Sequence, residues 1–261
     1  MRKITINLAA VAAFCIVVAS PALVSSSCAT PKTEQEDTTI IREDSGITAL
    51  KYSSPEVPAS IEFCGKTIDL SRFDRHERMD RELLAFTYMH STSLQMLKKA
   101  NRYFPIVEPI LKEKGIPDDF KYLMVIESNM NPTARSSAGA AGLWQFMQGT
   151  GRDYGLEVNN NVDERYHIEK ATRAACRYLK DAYAKYKDWV AVAASYNAGQ
   201  ARIASQLAKQ DVDDSLDLQL VEETARYVYR ILAAKQLFNA PTTFGFRLRA
   251  SDLYPDRKST R

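Results

Sequence analysis

The sequence is poor in the residues that build metal centres. It has three histidines, His76, His90 and His167, far apart, and four cysteines, none in a C-x-x-C pair. That spacing excludes the common zinc patterns and gives no cluster of metal ligands. Charge of one sign is also lacking. The formal net charge is +3, and Arg2 and Lys3 supply most of the excess; without them 33 basic residues face 32 acidic ones. A nucleic-acid binder shows a basic face, and a membrane-surface binder a polybasic patch; neither is present. No internal repeat is visible, and no alternating run long enough for a sheet core. No cofactor motif is found, and no cofactor is expected.

Long apolar runs are absent except at the start. Arg2 and Lys3 precede an apolar stretch over residues 4–24, broken by Ser20 and Pro21, and Ser25, Ser26 and Ser27 lead into Cys28. A short positive region, an apolar run and a small-residue exit form the pattern of a secretory signal, expected over residues 1–27. An uncleaved anchor is the alternative, since the run is just long enough to span a membrane. Ser-Ser-Ser-Cys resembles a relaxed lipobox, with Ser25 where Leu is usual, so Cys28 is the expected lipidation site. The expected location is the cell envelope, on the periplasmic face of the outer membrane and held there by acyl chains at Cys28. Cys15 falls in the removed segment. Cys64 and Cys176 then lie in an oxidising compartment, and a bridge between them stays open, because spacing does not give geometry. Cys176 lies off the apolar stripe of its helix, which reads against a buried structural thiol.

What is present is mainly helical periodicity. Residues 28–60 are rich in Thr, Ser, Glu, Asp, Lys and Pro and read as a flexible tether behind Cys28. Residues 61–115 read as a helical N-terminal extension, opened by a short hairpin around Phe63-Cys64-Gly65-Lys66. Its helices are expected to include a separate one from residue 106, closed by Gly115. Pro117, Asp118 and Asp119 mark a helix start, and Asn131-Pro132 its stop. A helix from Lys170 carries a clean apolar stripe, another starts near Asp188 and is interrupted at Asn197-Ala198-Gly199, and a last one runs over residues 221–238. The fold class expected is mainly α.

Glu127 ends a helix turn that begins Leu123-Met124-Val125-Ile126. A carboxyl in such company is desolvated, which raises its pKa and suits a general acid; taken alone, a solvated surface Glu is the commoner case. Residues 128–152 contain no Asp or Glu, so a second carboxylate would have to come from elsewhere. Glu223 and Tyr227, four apart, share a helix face with Arg230. Gln145 reads as near a helix start, where its amide donates to a ligand carbonyl. Trp144 and Phe146 read as either a sugar-stacking wall or core.

Glu127-Ser128, Asn131-Pro132, Gly142-Leu143-Trp144-Gln145, Ser195-Tyr196-Asn197-Ala198-Gly199 and Glu223-Thr224 with Tyr227 together resemble the ordered motif set of the family 1 lytic transglycosylases, nearest to its membrane-bound D type. The resemblance spans residues 116–238. It implies a lysozyme-like transglycosylase (SLT) domain over residues 116–240, followed by a tail over 241–261. It implies Glu127 as catalytic acid/base, acting on peptidoglycan glycan strands. Ser136 is implied beside that Glu and the substrate, and Gln145 and Met147 along the sugar cleft, with Trp144 where the family more often has Met. Tyr196 and Asn197 are implied near the reacting sugar, and Glu223 with Tyr227 at the cleft floor. The implied reaction gives 1,6-anhydro ends; a lysozyme-like hydrolase and an inactive wall-binding lipoprotein are the alternatives. Relatives of this type often carry C-terminal wall-binding repeats, so here capture of strands is expected to rest on cleft and tether.

Overall fold

The computed structural model describes residues 54–212 and 214–255. The signal segment, Cys28, the tether up to residue 53 and Arg257-Lys258 lie outside the described residues. The described part is mainly α, as the periodicity predicts, and it belongs to one compact unit.

The chain opens with a hairpin, β1 (Ser60–Phe63) antiparallel to β2 (Lys66–Asp69), with Ile61 opposite Ile68. Its turn is Cys64-Gly65, both at positive φ (54° and 82°), the conformation a two-residue hairpin with right-handed strand twist requires. Ile61, Phe63 and Ile68 alternate inward onto the core while Glu62 and Thr67 face out. The Cys64 N–H donates to Asp119 Oδ2 at 2.7 Å, and Lys235 Nζ to the Glu62 carbonyl at 2.6 Å, which fastens the hairpin to the body.

Helices α1 (Phe73–Tyr88) and α2 (His90–Glu113) follow. The separate helix expected from residue 106 is the second half of α2, which runs unbroken through Pro105 and Pro109. The two prolines are four apart on one exposed face, so the carbonyls they leave unpaired lie on the water side. Leu97, Ala100, Tyr103, Val107, Ile110 and Leu111 bury the other face and keep the helix continuous through both.

α3 (Phe120–Ser128) is buried along nearly its whole length. It stops at Asn129 and Met130, both left-handed (φ 48° and 56°), two residues before the Asn131-Pro132 stop read from the sequence. Asn tolerates that conformation, so the chain reverses directly behind Glu127 and Ser128. After a loop come α4 (Gln148–Asp153), α5 (Ile168–Tyr186), α6 (Trp189–Ala198), α7 (Gln200–Lys209) and α8 (Glu222–Asn239). α6 is apolar all round and central; Val190 through Ser195 are all buried. Asp188 caps its start by accepting from the Val190 N–H at 2.9 Å. Gly199 (φ 86°) separates α6 from α7, the interruption expected there. α8 packs on α1, α3 and α6, so it ties the N-terminal extension to the helices behind it. A single apolar cluster runs from Ile61 to Phe246. Among the described residues no helix is long and apolar enough to cross a membrane.

Cys64 and Cys176 are free thiols, so the bridge left open by the sequence is not formed. Cys176 is buried at the back of α5, against the reading that placed it off the apolar face. Thr172, on the same side, is buried too, because the Trp144 indole comes over to meet it.

Candidate active site

The site is built where the end of α3 meets the first turns of α8 and the end of α6. Glu127 is half-buried, and the Tyr227 phenol on α8 donates a hydrogen bond to Glu127 Oε1. Burial pushes the Glu127 carboxyl up to about 7. The Tyr227 hydrogen bond and the Arg230 charge pull it down, and the Glu223 charge pushes it up. Desolvation wins, as expected for a carboxyl whose hydrogen-bond partner among the described residues is neutral. Tyr227 itself is buried, and that burial, then the Glu127 charge, lifts its phenol well above the usual tyrosine range; it therefore stays a donor.

A second chain of contacts runs across the α6–α8 junction. Thr224 Oγ1 donates to Asn197 Oδ1 at 2.8 Å, and Asn197 Nδ2 lies 3.5 Å from Glu223 Oε1. Glu223 is exposed, so it borders the site from the solvent side. Tyr196 reaches past Glu127 to the α3–α4 loop. Its phenol donates to the Trp144 carbonyl at 2.8 Å, and its ring packs on Phe146 and Tyr178. Burial and the Glu127 charge raise its pKa well above normal, so this tyrosine is also a fixed donor.

The loop between α3 and α4 carries the remaining positions. Trp144 is fully buried, with Nε1 donating to Thr172 Oγ1 at 3.0 Å, and Phe146 is buried beside it. Both are core, and the sugar-stacking alternative does not hold. Gln145 sits at φ 48° in the loop, three residues before α4 begins, near a helix start as expected. Its Nε2 donates to the carbonyls of Gly142 at 2.8 Å and Ala134 at 3.2 Å. The amide nitrogen is thus occupied, against the expectation that it donates outward; Oε1 is the atom left to accept. Ser136 is exposed in a turn where its Oγ accepts from the Ala140 N–H at 3.0 Å, and no hydrogen bond joins it to Glu127 among the described residues. Met147 stands at the N-cap of α4 with 45% of its surface exposed, an apolar side chain held out into solvent.

The structure therefore brings Glu127, Tyr227, Tyr196, Asn197 and Glu223 together, while Ser136, Gln145 and Met147 lie on the loop. Arg165, which carries no mark in the sequence, and Gly142, which opens the Gly142-Leu143-Trp144-Gln145 motif, organise that loop. Arg165, 5% exposed, donates from Nη1 to the carbonyls of Gly139 (2.8 Å) and Phe146 (3.0 Å), and pairs with Asp163 at 2.7 Å. Gly142, at φ 79°, passes so close to the Arg165 carbonyl that a Cβ would sit 2.0 Å from its oxygen. Only glycine fits there. The Asp163-x-Arg165 spacing carries no pattern that marks it beforehand. Among the described residues no group of three or more His, Cys, Asp or Glu could hold a metal ion.

Residues 105–217 match the family described as the transglycosylase SLT domain. The chain is similar to membrane-bound lytic murein transglycosylase D of Escherichia coli strain K12, with 30% identity over 181 residues, 67% of this chain and 39% of that protein. It is also similar to membrane-bound lytic murein transglycosylase C of Haemophilus ducreyi, with 29% identity over 52% of this chain and 40% of that protein. The chain thus spans about two fifths of the length of these relatives. Among solved structures it resembles the 70 kDa soluble lytic transglycosylase of Escherichia coli, with a TM-score of 0.47 and 21% identity, over 61% of this chain and 28% of that one.

Proposed function

We propose that this chain, which belongs to the transglycosylase SLT family, cleaves peptidoglycan glycan strands with Glu127 as its acid/base. The observation that carries the reading is the half-buried Glu127 carboxyl, raised to about 7 and held by the Tyr227 phenol. A group of that pKa still holds its proton near neutral pH and gives it up readily, which is what protonating a glycosidic oxygen requires.

In the proposed reaction Glu127 protonates the oxygen joining N-acetylmuramic acid to N-acetylglucosamine, and the C–O bond on the muramoyl side breaks. The Glu127 carboxylate then takes the proton of the muramoyl 6-hydroxyl, whose oxygen bonds to the same anomeric carbon. The products are a free N-acetylglucosamine 4-hydroxyl and a 1,6-anhydro-muramoyl end, with the acid regenerated. The nucleophile is part of the substrate, so its effective concentration is high and no water needs activation. The absence of any acid over residues 128–152 is consistent with this economy. Tyr227 steadies the carboxylate while it is ionised. Asn197, held by Thr224, and Glu223 offer polar groups to the sugar from one side; Met147, the Gln145 Oε1 and the Ser136 hydroxyl offer an apolar surface, an acceptor and a donor from the loop.

The relatives' names, those of membrane-bound transglycosylases, support action in the cell envelope, and the residues before Cys28 support export; within that reading we place the protein at the periplasmic face of the outer membrane, anchored through a lipidated Cys28. Mass spectrometry of products from purified sacculi tests the chemistry: anhydro ends support it, reducing ends make the protein a hydrolase, and strand binding without products makes it a binding lipoprotein. Globomycin treatment followed by mass spectrometry of the mature N-terminus tests Cys28.

A further inference from the structure

The defining contact of the site joins α3 to α8, and α8 lies beyond the residues that match the SLT family. A phenol–carboxylate hydrogen bond weakens steeply when either partner is displaced, so the register of α8 along its own axis matters. Apolar packing buries α8 firmly but fixes that register less sharply, since such surfaces accommodate small shifts. A directional polar contact fixes it. Arg226 immediately precedes Tyr227, and its Nε donates to Glu82 Oε1 at 2.6 Å. Glu82 belongs to α1, in the N-terminal extension, and its side chain is only 3% exposed against 34% for Arg226. A charge so buried is costly unless paired, so Arg226 is held to this one place on α1. The neighbouring Arg81–Glu222 pair is exposed on both sides and holds little.

We propose that α1 is a working part of the active site: the Glu82–Arg226 pair sets the register of α8 and so holds Tyr227 against Glu127. Glu82 is a positioning residue and touches no substrate. The groups that face Glu127 are Tyr227, Arg230 and Glu223 from α8 and Tyr196 from α6. Arg226 is not among them, so Glu82 acts through position and not through its field. The consequence for catalysis rests on the reading of Glu127 given above; the positioning itself does not.

The test is titration of the Glu127 carboxyl carbon by NMR in the full chain, assigned with Glu127→Gln. The Tyr227 hydrogen bond favours the ionised carboxyl, so Tyr227→Phe raises the pKa by about 1. Glu82→Ala raises it in the same direction by about half as much, and Glu82→Gln, which keeps an oxygen acceptor, by less. The alkaline limb of kcat moves up with it while KM stays. If Glu82→Ala does not fold, the double variant Glu82→Leu/Arg226→Met removes both charges together and is expected to give the same rise. A shift in Tyr227→Phe with none in the folded Glu82 variants overturns the inference and leaves the proposed function standing. No shift in any of them overturns the Tyr227 contact and both readings with it. Shifted pKa values in a protein that cleaves no glycan sustain the positioning and sink the function.

Discussion

Glu127 on α3 and Glu82 on α1 are both glutamates turned toward α8, and each meets one residue of that helix, Tyr227 or Arg226. The partners differ in charge. The guanidinium supplies a full compensating charge, which suits a strut between helices. The phenol supplies only a hydrogen bond, too little to offset desolvation, and the carboxyl that receives it titrates near 7. Adjacent residues of one helix thus serve one buried and one half-buried acid in opposite ways, and the chemistry of each acid follows from its partner and not from its own identity.

The sharpest way to break the comparison is to neutralise the acid given the proton-donating role. Glu127→Gln is expected to lower glycan cleavage by roughly a hundred- to ten-thousand-fold, read as anhydro-muropeptide release, with helicity by circular dichroism unchanged. Next in size is the asymmetry of the strut. Arg226→Met leaves Glu82 charged and buried, and is expected to cost on the order of 3 kcal/mol in urea unfolding. Glu82→Gln leaves a guanidinium that is one-third exposed and can turn to water, so it should cost distinctly less; equal losses would count against the strut.

The pH dependence of stability is expected to be comparable or smaller. The folded value of Glu127, about 7, lies above the ordinary value of 4.5. The native state therefore binds this proton more tightly, and the stability it confers is complete below pH 4.5 and lost as pH rises through 7. The full span is at most about 3 kcal/mol, and less because Glu127 is partly solvated. Melting curves of wild type and Glu127→Gln at pH 4.5 and pH 8 check this: the variant's advantage should grow with pH, and a constant difference would contradict it. The smallest effect is expected for Arg81→Ala, where loss of a pair exposed on both sides should leave the urea midpoint nearly unchanged and the Glu127 titration untouched.

Much of the site was legible before any coordinates, for reasons that can be traced. The apolar run before Glu127, the spacing of Glu223 and Tyr227 on one helix face and the glycine that ends α6 fit such a site, but each alone has a commoner structural reading, and it was the resemblance of the ordered motifs that singled these residues out. What misled were residues whose partners are distant in sequence. Gln145 looks free to donate until Gly142 and Ala134 are seen to occupy its nitrogen. Cys176 looks exposed because it lies off the apolar stripe, yet it is buried, and Thr172 one turn before it is covered by Trp144. Arg165 and Glu82 show no pattern at all, because a buried charge is identified only by the group that pairs with it.

Local sequence by itself determined the helical class, the Cys64-Gly65 turn and the α6–α7 break, since each depends on dihedral preference or on periodicity within a few residues; it did not determine that α2 runs on through Pro105 and Pro109, because the burial of the opposite face holds that helix together. The tertiary structure alone decided that α8 would bring Tyr227 to Glu127 and Arg226 to Glu82. The partners stand 100 and 144 residues apart. Nothing in a short window of sequence encodes a contact of that separation, because it exists only once the core has closed, burying Glu82 and withdrawing Glu127 partly from water.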